Sequence, residues 1–127
     1  YYKDQDNYDV ELKLNKEHIH NLIKAKQSLS DQDNVTITTF NDIERGMLCE
    51  FTFGDNASYS NKICYKIEGD ISRDGIELPF NSDVFRDVLK TNKDMDYGIF
   101  KLSADGLMKM NFYSKEILSE YYLLRRE

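Results

Sequence analysis

The chain has 127 residues, with 17 lysines and arginines, 23 aspartates and glutamates, and a net charge of −6. This length fits one domain with its own core, and the acidic balance argues against a protein that wraps nucleic acid with a uniformly basic surface. Two cysteines do not make a disulfide framework, so a reducing cytoplasm is the expected compartment. There is no apolar run of membrane-spanning length, and the absence of an initiator Met favours a processed or truncated product.

The first half predicts a strand, a helix and three further strands. Residues 1–7 are polar and indicate a linker or tail, whereas Tyr8–Leu14 alternates like a half-buried strand. Asn15 is a candidate N-cap for an amphipathic helix that runs to about Ser30. The strands predicted to follow are Val35–Phe40, Met47–Phe53 and Lys62–Glu68.

The second half repeats this order. Ile76–Phe80 predicts a short strand, and Asn81 caps a helix that runs to Thr91 and buries Val84, Phe85, Val88 and Leu89. Asp105-Gly106 is a strong hairpin signal. The three strands predicted here are Met95–Leu102, Leu107–Tyr113 and Ile117–Leu124.

The repeat predicts an α+β domain over residues 8–127, made of two βαβββ units at 8–75 and 76–127. Short loops between successive strands favour antiparallel sheets, and one apolar stripe on each helix places both helices on one side. The result is eight strands whose edges must be paired or protected.

Charge is distributed unevenly along this chain. Residues 15–30 sum to +2 and residues 31–80 to −6, and Lys16, His20 and Lys24 form one stripe of the first helix. One interpretation is a phosphate-facing surface, and the other is an ordinary solvated helix face. In the second helix Arg86 and Lys90 share the exposed face with two aspartates, in an order that also suits the helix dipole.

No catalytic or metal site can be placed, so no cofactor is expected and the protein is predicted not to be an enzyme. His18 and His20 are two residues apart, a spacing that sends them to different sides of a helix. Cys49 and Cys64 are interpreted as small buried hydrophobes. Lys26 interrupts the apolar side of its helix and is expected to snorkel to the surface.

The last predicted strand is unusually apolar. Core packing explains most of Ile117–Leu124, but an exposed apolar patch can also receive a partner's peptide. Tyr122, Leu123 and Leu124 are the candidate lining of such a pocket.

The sequence resembles the C-terminal domain of a bacteriophage-type DNA polymerase sliding clamp, a relative of proliferating cell nuclear antigen. The residues that carry this resemblance are Leu78-Pro79-Phe80-Asn81, the helix to Lys90, Tyr97–Leu102, Leu107–Phe112 and the closing Tyr121-Tyr122-Leu123-Leu124. Element order extends it over nearly the whole chain. Two departures are the balanced charge of the second helix and the presence of one domain where the trimeric type has two.

The resemblance implies a DNA-clamp fold whose helices line a hole around double-stranded DNA. It places Lys16, His20, Lys24, Arg86, Lys90 and Lys93 toward the phosphates, where contact without base reading permits sliding. The strands at Lys62–Glu68 and Ile117–Leu124 would pair with other clamp subunits, giving a homotrimer at full length. The implied partners are a DNA polymerase and a clamp loader, with no membrane, in the cytoplasm (of the host, if phage-encoded).

Two alternatives stay open. One is a small-ligand-binding protein or enzyme with a cavity between helices and sheet, lined by Tyr59, Tyr65, Tyr97 and the two histidines. The other is a phage structural or adaptor protein that assembles through the same edge strands without DNA.

Overall fold

The computed structural model describes residues 7–54 and 61–126. Over these residues the chain forms nine strands and two helices. In chain order they are β1 (Val10–Leu14), α1 (Lys16–Ser28), β2 (Asn34–Asp42), β3 (Gly46–Phe53), β4 (Ile63–Glu68), β5 (Asp70–Ile71), β6 (Glu77–Asn81), α2 (Ser82–Thr91), β7 (Tyr97–Leu102), β8 (Leu107–Ser114) and β9 (Ile117–Leu124).

The structure differs from the sequence prediction in a ninth strand and in the end of helix α1, while several strand ends shift by one or two residues. A ninth strand, β5, pairs with the start of β1 through Val10 and Ile71, in a segment too short to show alternation. Helix α1 ends at Ser28 instead of near Ser30, because the amide of Leu29 donates to Lys26 O at 3.1 Å and tightens the last turn.

The strands form two antiparallel sheets, and each sheet takes strands from both halves of the sequence. The five-stranded sheet has the order β5-β1-β7-β8-β9, and the four-stranded sheet has the order β4-β3-β2-β6. Strand β1 pairs with β7, with Leu12 opposite Phe100, and β2 pairs with β6, with Ile37 opposite Leu78. The two βαβββ units are therefore interleaved, and neither half has a sheet of its own.

Both helices contact each other and share one core with the inner faces of the two sheets. Phe51 is the central ring of this core, since it stacks on Phe85 of α2 at 5.9 Å and meets Phe100 edge-on at 5.2 Å. All three rings are fully buried. Helix α2, the four-stranded sheet and the five-stranded sheet thus meet at one point.

Two predicted core positions are wrong. Val84 is 45% exposed, because in the first turn of α2 it lies beyond the sheet that covers Phe85. Cys64 is exposed, since it pairs with Thr52 on the outward face of β4, and only Cys49 is buried.

Both predicted helix caps are confirmed. The side chain of Asn15 accepts from the His18 amide at 2.8 Å, and His18 Nδ1 accepts from the Asn15 amide at 3.2 Å, which is a capping box with histidine in place of glutamate. Asn81 Oδ1 accepts from the amides of Asp83 and Val84 at 2.9 and 3.0 Å. Each asparagine satisfies amides that no helix turn can reach.

Strands β4 and β9 are open edges of the two sheets within the described residues. At the other edge of the four-stranded sheet, β6 is partly covered, because the Arg126 amide donates to Pro79 O at 2.8 Å. β9 also exposes Ile117, Leu118 and Leu124, so the expectation that core packing explains most of this apolar strand is wrong. The predicted edge positions of both strands are confirmed.

Candidate nucleic-acid interface

The polar face of α1 carries the basic stripe that the sequence predicts. Lys16, His20 and Lys24 are all exposed and follow one another at intervals of four residues. Neither lysine makes an ion pair within residues 7–54 and 61–126. The Asn15 cap ensures that the helix starts early enough to place Lys16 on this face.

The polar face of α2 is arranged differently. Arg86 is only 25% exposed, and its guanidinium lies between two carboxylates of its own helix, at 3.0 Å from Asp87 Oδ1 and 3.6 Å from Asp83 Oδ1. Lys90 is exposed in the last turn, and Lys93 is exposed just after the helix. Three of the six predicted residues thus lie on or beside α2, but only Lys90 and Lys93 present a charge without an ion pair in the part of the chain that the structure describes.

Lys26 does not snorkel, so that expectation is wrong. Its side chain is 1% exposed, and Nζ donates to the carbonyls of Ser30 and Gln32 at 2.9 and 2.6 Å while lying 3.4 Å from Asp83 Oδ1. A buried ammonium needs such partners to offset its lost hydration. The charge of Lys26 therefore joins α1 to α2 and adds little to the exposed charge of α1.

The segment between α1 and β2 makes hydrogen bonds to three other parts of the fold. Gln32 O accepts from Lys26 of α1 and, at 2.6 Å, from the hydroxyl of Ser82 in α2. Asp33 O accepts from the Ser82 amide at 2.8 Å and from Arg126 after β9 at 3.1 Å. Sequence patterns missed these hydrogen bonds because their acceptors are backbone carbonyls. The one available signal was a lysine on an apolar helix face.

Asp42 of β2 and Cys49 of β3 have perturbed pKa values, and both lie in the four-stranded sheet. The amides of Glu44 and Arg45 donate to Asp42 and lower the pKa of its carboxyl. Burial, with a smaller contribution from the charge of Glu50, raises the pKa of Cys49 to about 12. Neither group has the surroundings of a catalytic acid or nucleophile.

The three residues predicted to line a peptide pocket lie together at the end of β9. Tyr122, Leu123 and Leu124 line a depression of about 210 Å³ with Asn81 and Val84. Leu123 is itself buried in the core, so Val84, Tyr122 and Leu124 supply most of the apolar surface. Val84 was missed here because the sequence assigned it to the core.

Among the described residues proposed to line a ligand cavity, only His18 and Tyr65 are in ring contact with each other, edge-on at 6.1 Å. Tyr97 stacks on Tyr113 at 5.0 Å on the outward face of the five-stranded sheet, whereas Tyr65 of β4 accepts from Asn21 of α1. His18 is occupied as a helix cap and His20 is exposed, and Tyr59 lies outside the described residues. The geometry therefore gives no support to a cavity between helices and sheet.

The described residues also contain no cluster of three His, Cys, Asp or Glu side chains suited to a metal ion. Among them, neither helix has the length and apolar character needed to cross a bilayer.

Comparison with solved structures identifies the fold. Proliferating cellular nuclear antigen from Entamoeba histolytica matches with a TM-score of 0.72 and 15% identity over 100% of this chain and 49% of its own. The Bartonella birtlesii sliding clamp (DNA polymerase III subunit beta), bound to griselimycin, matches with a TM-score of 0.62 and 16% identity over 100% and 34%. The Helicobacter pylori beta clamp bound to a DNA ligase peptide matches with a TM-score of 0.59 and 16% identity over 100% and 33%.

These similarities establish that the chain has the sliding-clamp fold, as the resemblance in sequence implied. The chain spans about half the length of the Entamoeba protein and about a third of the two bacterial clamps. No protein-family model matches the sequence. No curated protein sequence matches it significantly.

Proposed function

We propose that this chain is a domain of a DNA sliding clamp, a non-enzymatic protein that encircles double-stranded DNA and tethers a polymerase for processive synthesis. The observation that carries the proposal is the exposed basic stripe of Lys16, His20 and Lys24 on a helix of a clamp-fold domain whose overall charge is −6. A basic surface limited to one face attracts phosphates there, while the acidic remainder discourages DNA from binding elsewhere.

The chemistry of this face suits sliding. Lysine side chains contact phosphates without reading base edges, so the protein keeps no register on the duplex. Lys90 and Lys93 extend the contact to α2, and Arg86 joins them when it leaves its carboxylates. Because the interaction is electrostatic, the affinity for DNA should fall steeply as the salt concentration rises.

Assembly into a ring uses the two open edges in this proposal. Strand β9 offers unpaired backbone groups beside Ile117, Leu118 and Leu124, and β4 offers a complementary edge. Pairing β9 of one domain with β4 of the next would satisfy both edges and cover the apolar side chains. A trimer of two-domain subunits, loaded by a clamp loader, is the form that we propose at full length. The bacteriophage type and a cytoplasmic location remain part of the proposal.

The depression at Asn81, Val84, Tyr122, Leu123 and Leu124 is the proposed seat for a partner's peptide. A beta clamp of the same fold was solved with a DNA ligase peptide, which makes a peptide of a replication protein a reasonable occupant.

DNA contact can be tested by titrating the isotope-labelled chain with a short blunt-ended duplex at low ionic strength and following its amide NMR signals. We expect the largest shifts in α1, and we expect Lys16→Gln with Lys24→Gln to weaken binding and to flatten its salt dependence by about 0.9 per lost phosphate contact. The matched control is Lys13→Gln with Lys66→Gln, which removes the same charge from the outward faces of the two sheets. Equal affinity of the two double variants would contradict the proposed interface.

The edge contact can be tested by sedimentation velocity. We expect concentration-dependent association of the chain, abolished by Leu118→Glu because a charge on an edge strand opposes pairing. Ile43→Glu is the control, since Ile43 is equally apolar and fully exposed but lies in the turn between β2 and β3, outside both edge strands. Association that survives Leu118→Glu would remove β9 from the interface.

A further inference from the structure

The carboxylates around Arg86 separate it from the other predicted DNA contacts. Arg86 Nε donates to Asp87 Oδ1 at 3.0 Å, and a terminal guanidinium nitrogen lies 3.6 Å from Asp83 Oδ1. By contrast, Lys16, Lys24 and Lys90 make no ion pair in the described parts of the chain. A phosphate must therefore compete with a carboxylate for Arg86, but it meets no such competitor at the lysines.

The two carboxylates are not equivalent. Asp83 Oδ1 also lies 3.4 Å from the buried Nζ of Lys26, which holds this carboxylate in position. Asp87 is 65% exposed, and Arg86 is its only ion-pair partner among the described residues. Asp83 therefore serves the packing of α1 on α2, whereas the visible contact of Asp87 is with Arg86 alone.

We infer that Asp87 regulates the affinity of this face for DNA by holding Arg86 away from the phosphates. The inference rests on the proposed function and adds to it a residue that limits binding. With Asp87 in place, α2 presents nearly balanced charge, so the DNA face depends chiefly on α1. Weak contact along α2 lowers the barrier between successive positions on the duplex, which favours sliding over stationary binding.

The test is a double-mutant cycle on the full 127-residue chain, again titrated with a short DNA duplex at several salt concentrations. Asp87→Asn should tighten binding about two- to fivefold at low salt, the scale of an exposed ion pair, and should steepen the salt dependence by up to about 0.9 as one phosphate contact is gained. In the background Arg86→Gln the same change should have little effect, because no arginine remains to be released.

Two controls separate this effect from simple loss of negative charge. Glu77→Gln removes one carboxylate from the outward face of β6 and should leave the affinity unchanged. The Arg86 Nε–H signal gives a readout on the residue itself: it should move on adding DNA, and Asp87→Asn should shift it in the free protein. Asp87 and Glu77 are exposed, and a conserved amide spectrum verifies the fold of each variant.

The outcomes distinguish the inference from the proposed function. Equal tightening by Asp87→Asn with and without Arg86, or no tightening in either background, overturns the inference while binding that depends on Lys16 and Lys24 still stands. Binding that is insensitive to Lys16 and Lys24 overturns the proposed interface instead. Tightening that requires Arg86 supports both.

Discussion

The two helices occupy equivalent places in the repeat, yet their polar faces differ. Helix α1 exposes Lys16 and Lys24 with no ion pair in the described chain, whereas α2 surrounds Arg86 with Asp83 and Asp87. Packing changes the exposed charge of both helices, since Lys26 of α1 is buried beside Asp83 of α2. A count of charges along a helix is therefore a poor measure of the charge that a ligand meets.

The buried faces of the helices differ as well. The largest change in stability that we expect comes from removing the aromatic ring that distinguishes α2. Helix α1 contributes aliphatic side chains to the core, but α2 contributes Phe85, which stacks on Phe51. Phe85→Ala should lower the free energy of unfolding by about 3–5 kcal/mol. Val84→Ala, one residue earlier and exposed, should change it by less than about 0.5 kcal/mol. Urea unfolding checks both, and similar losses for the two variants would mean that α2 is seated differently.

A second prediction separates two lysines of α1. Lys26→Met leaves the carbonyls of Ser30 and Gln32 without their buried donor and should cost about 1–3 kcal/mol of stability. Lys24→Met should cost less than about 0.5 kcal/mol but should weaken DNA binding. Urea unfolding and the DNA titration should therefore rank the two variants in opposite order. If one variant were the weaker in both measurements, the assignment of stability to Lys26 and of DNA contact to Lys24 would be wrong.

The smallest expected effect concerns Cys49, which lies in the four-stranded sheet on which the helices pack. Its raised pKa leaves the free energy of unfolding unchanged near neutral pH. Burial raises the pKa of Cys49 to about 12, so the neutral thiol is the folded form. Any stabilisation from this shift is complete below the ordinary thiol pKa and is lost as pH rises toward 12. At pH 8 a thiol reagent should label one cysteine, Cys64, in the native chain and both in denaturant. Rapid native labelling of both would place Cys49 nearer the surface.

Much of the fold was accessible from sequence because it depends on local patterns. Local patterns predicted eight of the nine strands, and Asn15 and Asn81 were recognised as caps because a cap acts on amides two or three residues away. The two-residue β5 was not predictable, since pairing with β1 defines it and its own side chains do not. Val84 was misplaced because periodicity gives a direction on the helix but not where the covering sheet ends.

The residues of the candidate functional sites were also predictable from sequence only where they lie close together in the chain. Lys16, His20 and Lys24 could be grouped from their spacing, which an α-helix converts directly into one exposed stripe. The depression at the end of β9 was predicted only in part, because Asn81 reaches it from the end of β6 and Val84 from α2.

The sequence by itself determined the order of elements, the helix caps and the basic stripe of α1, because each depends on residues within a few positions of one another. Only the tertiary structure decided that the two halves exchange their first strands and that Lys26 is buried against Asp83. These features join residues far apart in the chain, where backbone pairing and desolvation, and not local propensity, select the partner.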